Sequence, residues 1–188
     1  MEWLEALAEG KGSAILVAGG GPFADAVRLA QQQRPFDNAV AHRMAILAME
    51  QFGLMLTALC TALRPAARRS EIAAIRRSGR VPVWLPSRMT FGRPDIAESW
   101  DVTSDSLAVW LAAELGLTHA MLVKSAALPQ EPTCAAKLAR DGIVDAMLPE
   151  MLRRTGVECR CIEAGQAAGF GQALRVGQLV GTRVVLDA

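Results

Sequence analysis

The sequence carries no excess of either charge: 20 Lys and Arg face 19 Asp and Glu, a net of +1 with both histidines neutral. A chain that lives on nucleic acid shows a basic surplus, so that class is set aside and no nucleic-acid partner is expected. Nor is there a long hydrophobic run. The longest uncharged apolar stretch, Gln51 to Leu63, falls short of the ~18 residues a bilayer-spanning helix needs. Glu2, Glu5 and Glu9 stand where a secretory signal would be positive. No membrane partner is therefore expected, and the cytoplasm is the expected location. Cysteine is sparse. Cys60, Cys134, Cys159 and Cys161 form no CxxC pair, so free thiols are expected rather than a disulfide framework or a metal site. Disorder is excluded because 52% of the residues are hydrophobic and 21% charged, enough to bury a sizeable core.

What is present is an alternation of short apolar runs and helical patterns. Ser13 to Ala18 (SAILVA) predicts a strand buried on both faces, ended by Gly19, Gly20 and Gly21. Pro22 then suits a first helical turn, and Phe23, Ala26, Val27 and Ala30 recur at helical spacing. A second helix is predicted from an Asp37 cap through Met44, Leu47, Met49 and Leu56 towards Leu63, apolar around nearly its whole circumference. Arginines crowd the stretch from Arg64 to Arg93 with Glu71 as the opposing acid. That cluster reads as a solvated helix face around Arg68 to Ser78, with an anion-binding patch as the alternative. Strands are predicted at Val81–Leu85, Ala120–Val123, Val157–Ile162 and Thr182–Leu186. Helices are predicted at Ser104–Leu115, Ala135–Ala139 and Val144–Arg154, with loops over Pro86–Trp100 and a glycine-broken segment over Gly165–Gly171. The class is α/β, a mainly parallel sheet sandwiched by helices in one domain of 188 residues.

Several positions suit chemistry. Gly19 to Gly21 close a buried strand and open a helix, where free N–H groups and the helix dipole favour an anion such as phosphate. A tight turn without a ligand is the plain alternative. Gly19, Gly21 and Ala24 also satisfy G-x-G-x-x-A, so a dinucleotide fold is weighed; the helix that follows, where a second strand ending in an acid should lie, opposes it. Asp105 sits in the first turn of a predicted helix behind Thr103 and Ser104, either of which could cap it. Lys124 ends a strand at the edge where α/β proteins bind ligands. His42 and Arg28 lie on helices, and both also suit purely structural roles.

Together Gly19-Gly20-Gly21-Pro22-Phe23-Ala24-Asp25-x-Val27-Arg28, Ala41-His42-x-Met44-Ala45-Ile46, Trp100-x-Val102-Thr103-Ser104-Asp105-Ser106 and Leu122-Val123-Lys124-Ser125 resemble the amino acid kinase family. The pattern is similar in particular to its branch acting on 5-(aminomethyl)-3-furanmethanol phosphate in methylofuran biosynthesis. The resemblance implies a three-layer α/β/α sandwich with an acceptor half of about 1–100 and a nucleotide half of about 101–188. It implies transfer of a phosphoryl group from ATP, with Mg2+, to a small phosphorylated acceptor, and a homodimer. Residue by residue it implies that Gly19, Gly20 and Gly21 cradle the acceptor, with Ser104, Asp25, Arg28 and His42 on the acceptor side. Asp105 would organise the catalytic cations, and Lys124 and Ser125, with Gly169 and Gly171, would meet the nucleotide.

Two departures stand beside the match. Family members open with a strand carrying a lysine and a glycine pair, whereas residues 1–10 here read as the helix that follows it, which implies a late start or a lost first strand. An aspartate-glycine pair usually follows the Lys124-Ser125 position, and this chain has Ala126-Ala127-Leu128-Pro129. A non-catalytic protein that binds a phosphorylated ligand or a partner subunit is the second expectation.

Overall fold

Strand β1 (Leu63–Ala66) and strand β2 (Val81–Trp84) pair in parallel, and helix α4 (Arg69–Arg77) makes the crossover such a pair requires. The computed structural model describes residues 1–128 and 132–186, which form two compact units divided between Trp100 and Asp101. Pro129 of the predicted departure lies outside the described residues.

In the first unit β2 is buried at every residue. Its odd-numbered side faces β1, with Val81 and Leu85 donating to Ala62 and Ala66; on its other side Trp84 donates to Leu16, which donates back to the Pro82 carbonyl. Pro82 faces that second side and has no N–H to give. The predicted strand at Ser13–Ala18 therefore shrinks to an isolated parallel bridge between Leu16 and Val83. It is also less buried than its composition suggests, Ala18 alone being enclosed while Ile15, Leu16 and Val17 are half-buried.

Helix α1 (Glu2–Glu9) precedes that segment, and helix α2 (Gly21–Gln33) follows it and packs on helix α3 (Asn38–Leu59). Asp37 caps α3 as predicted, its carboxylate accepting from the Ala39 amide at 2.9 Å. The helix ends at Leu59 rather than near Leu63, because Leu63 already belongs to β1, an element too short and too exposed to show in the pattern. Ala41, Ile46, Ala48 and Met49 bury one face of α3 against α2, β1 and β2. On the other side Val40, Met44, Leu47 and Leu54 stay 37–48% exposed. The arginine cluster is largely spent on local structure. Arg64 and Arg80 donate to the Thr61 carbonyl, Arg76 to that of Gly12, and Arg68 pairs with Glu71. The predicted loop after β2 contains one short helix, α5 (Ser87–Thr90).

The second unit opens with helix α6 (Ser104–Glu114), which is apolar on all sides and packs against helix α8 (Leu148–Thr155) and strand β3 (His119–Lys124). Its sheet runs β3, β5 (Glu158–Glu163), β6 (Thr182–Val185), β4 (Thr133–Cys134). β3 is parallel to β5 and β4 to β6, while β5 and β6 are antiparallel. Mixed α/β structure with mostly parallel strands is thus what the patterning predicts. β3 is an edge strand, so of its residues Leu122 alone is buried. Helix α7 (Ala135–Arg140) lies as expected, but α8 starts four residues later than predicted, after a turn that carries Asp145 inward. The segment predicted to be glycine-broken is helical, a 3-10 turn (Ala164–Gln166) running into helix α9 (Ala167–Arg175), whose Ala167, Phe170 and Ala173 supply the buried side. Among the described residues no helix is long and apolar enough to cross a membrane.

Candidate functional site

In the second unit the chain brings a carboxylate and an ammonium together from separate elements. Asp105 lies in the first turn of α6, where the helix dipole favours negative charge. Lys124 ends β3, and its Nζ donates to Asp105 Oδ2 at 2.6 Å, both side chains being 14% exposed. The same Oδ2 accepts the backbone N–H of Asp145 at 3.2 Å. Burial pushes the Asp105 carboxyl above its ordinary value and outweighs the opposing pull of Lys124; the nearby Asp145 charge adds to the rise. Such an enclosed pair is a pre-organised charge device, because a cation fixed in low dielectric acts on a developing anion without reorganising first.

Thr103 is the N-cap of α6, yet its side chain does not cap the helix. Its hydroxyl and amide instead both donate to Asp145 Oδ2, at 3.0 and 2.8 Å. Ser106 adds its amide to that oxygen at 2.9 Å and its hydroxyl to Asp145 Oδ1. Sequence reading missed Asp145 by placing it inside a helix; the signal for its real position is the turn before Pro149, which suits the first turn of α8 and marks a later start. Ser104 opens α6 between these residues, and Ser125 lies exposed in the bend beyond Lys124.

Beyond the β5 strand end lies a cavity of about 450 Å³ lined by Cys161, Glu163, Gly169, Phe170, Gly181 and Thr182, among others. Its size suits a small ligand. Gly169 is therefore at a cavity wall, whereas Gly171 is buried inside α9 and is not among the lining residues. Glu163 accepts the Leu128 amide at 2.8 Å, holding the segment beyond β3 against this region. Cys159 and Cys161 share one face of β5 as free, buried thiols. Their mutual hydrogen bond holds Cys161 below its ordinary value and, with burial, pushes Cys159 well above. Cys60 and Cys134 are likewise free and half-buried.

In the first unit Gly19 to Gly21 lead into α2 as predicted, with Gly20 as N-cap and Pro22 in the first turn. Packing already accounts for two of the glycines. A Cβ on Gly20 would lie 2.3 Å from that of Ala24, while Gly21 has φ +51° and a Cβ there would stand 3.3 Å from the Phe52 ring. Arg28 stacks over Trp100, 4.3 Å from the ring centroid, and Trp100 Nε1 donates to Gln31 at 2.8 Å. Asp25 is exposed and weakly paired with Arg28 at 3.7 Å. His42 is buried, with Nδ1 2.8 Å from the Ser99 carbonyl. Arg28 and His42 thus both fasten the segment ending at Trp100, and each has a structural role whatever else it contacts.

No known family model matches the chain. Over 109 residues it is 26% identical to (5-(aminomethyl)furan-3-yl)methyl phosphate kinase of Methanocaldococcus jannaschii, a match spanning 57% of this chain and 50% of that protein. The chain thus aligns with about half the length of that relative. Among solved structures, uridylate kinase from Archaeoglobus fulgidus superposes with a TM-score of 0.69 at 14% identity, covering 98% of this chain and 91% of the other. UMP kinase from Ureaplasma parvum gives 0.64 at 16% identity, covering 96% and 85%.

Proposed function

We propose that this chain, which has the amino acid kinase fold, is a small-molecule kinase that moves the γ-phosphoryl group of ATP onto a phosphate monoester of the 5-(aminomethyl)-3-furanmethanol phosphate type. The observation that carries the proposal is the enclosed Lys124–Asp105 pair, at the end of a strand where α/β proteins bind ligands. An oxygen of the acceptor phosphate forms the new bond to the γ-phosphorus as the bond to the β-phosphate bridge breaks, leaving ADP and a diphosphate ester. The acceptor oxygen is already largely deprotonated near neutral pH, so no general base is required. Catalysis then rests on position and charge. Lys124 meets the charge of the nucleotide phosphates, and Asp105 holds Lys124 in place. In the first unit Gly19, Gly20 and Gly21 with Asp25, Arg28 and His42 serve the acceptor; in the second the cavity at Gly169 serves the nucleotide, with Ser125 near its phosphates. Among the described residues no group of three His, Cys, Asp or Glu could hold a metal. Mg2+ would bind through the nucleotide phosphates, as it usually does with few protein ligands. The chain acts as a homodimer in the cytoplasm, joined through the exposed face of α3.

A second reading, a non-catalytic protein that binds a phosphorylated ligand, is favoured by Ala126 and Ala127, exposed where a kinase of this kind usually carries aspartate and glycine. Phosphorus NMR of the protein with Mg-ATP and 5-(aminomethyl)-3-furanmethanol phosphate decides between them. New diphosphate resonances together with ADP support the kinase. Nucleotide binding without turnover supports the second reading, and absence of both overturns the proposal.

A further inference from the structure

Asp145 is a buried carboxylate, 9% exposed, that no sequence motif singles out. It reaches across some forty positions of chain to take four hydrogen bonds, from the amides and hydroxyls of Thr103 and Ser106. These two residues bracket Asp105 in sequence. The amide of Asp145 itself donates to Asp105 Oδ2, and two residues on the Met147 amide donates to the Asp101 carbonyl at 3.0 Å. Asp145 therefore supplies the cap that Thr103 does not give α6, fixing the backbone on both sides of Asp105 and one oxygen of its carboxylate.

A simple helix cap would need one such bond. Here the same residue grips the α6 start through its side chain and the functional carboxylate through its main chain. Among the described residues Asp105 Oδ1 has no further partner, so Asp145 and Lys124 together determine where that oxygen points. We propose that Asp145 is the positioning residue of the phosphoryl-transfer site, setting the Asp105 carboxylate, and through it Lys124, in the orientation that meets the nucleotide phosphates. The inference rests on the kinase reading for its chemical meaning, but its geometry can be tested apart from it.

The titratable groups facing Asp105 are Lys124 on β3, Asp145 itself, and Cys159 and Cys161 on β5. Carboxyl and amide NMR of the full chain tests the arrangement directly. In the wild type the Asp145 amide proton should shift with pH at the same midpoint as the Asp105 carboxyl carbon; an amide indifferent to that titration overturns the proposal without any variant. In Asp145→Asn the Asp105 midpoint should fall, since the neighbouring negative charge is gone while Lys124 stays. A midpoint left where it was, with only a lower melting temperature, would mean that Asp145 does not act on the Asp105 carboxyl and would overturn the proposal. With Mg-ATP and the furan phosphate acceptor, Asp145→Asn should lose roughly ten- to a hundredfold in kcat, as a displaced catalytic group does, with KM for the acceptor within about threefold. Equal losses in both, or none, would refute the positioning role. If the wild type transfers no phosphoryl group while the two NMR results hold, the kinase reading fails and the placement of Asp105 by Asp145 stands.

Discussion

Asp105 carries two predictions because burial and function pull on the same carboxyl. Replacing it with Asn keeps the shape but removes the charge that holds Lys124, so kcat should fall by about 10²–10³, the usual scale for one lost electrostatic stabiliser. Steady-state kinetics would detect this, and normal turnover would refute the role. The stability effect has the opposite sense at neutral pH. The folded carboxyl lies above its unfolded value, so the folded state binds that proton more tightly, and the stabilisation is fully present below the ordinary carboxylate range. It is lost as pH rises through the raised value. Denaturant melts at about pH 4 and about pH 7 should therefore show the Asn variant gaining on the wild type as pH rises, since only the wild type pays for ionising there. A constant difference would mean that the carboxyl is not enclosed as described. Gly20 makes a separate residue-scale test. Gly20→Ala places a methyl 2.3 Å from that of Ala24, an overpacked contact expected to cost about 1–3 kcal/mol. Thermal melting should show the loss, and adding Ala24→Gly should recover part of it.

At the scale of elements, β6 depends on how it leaves Gly181. That residue has φ +86°, and a Cβ there would stand 2.5 Å from the Cys161 carbonyl oxygen on β5. Gly181→Ala must either strain the backbone or part β6 from β5, with a loss of about 1–3 kcal/mol. The cavity wall moves with it, so calorimetry should also show weakened nucleotide binding; unchanged stability and binding would mean that the approach is not required. The element pattern also explains what could be read in advance. α4, α6, α7, β2 and β5 were legible because each carries its period and its stop signals locally. β1 was not, since four residues with two exposed show no period. The Ser13–Ala18 strand was overread because the residue that spoils its pairing, Pro82, lies far along the chain. For the site, Asp105 and Lys124 were legible as the ends of a helix and a strand, but their 2.6 Å contact and the part played by Asp145 depend on tertiary folding that no local pattern encodes.

For the whole molecule the open question is what covers α3. Most of this helix buries one face against α2, β1 and β2, yet Val40, Met44, Leu47 and Leu54 recur at three- to seven-residue intervals on the opposite face and remain 37–48% exposed. A contiguous exposed apolar stripe of this kind marks an interface. A second copy is the occupant proposed here, because two such faces complement each other by symmetry and Arg43 of α3, paired at 2.9 Å with Glu98 of the segment before Trp100, gives the stripe a polar neighbour near one end. Sedimentation should then give a species of twice the 20.1 kDa chain mass. Leu47→Glu puts a charge in the middle of the stripe without touching the buried face, so it should yield a folded monomer with an unchanged circular-dichroism spectrum. A wild type that sediments as a monomer would remove the dimer from the proposal, and a Leu47→Glu dimer would move the interface off α3.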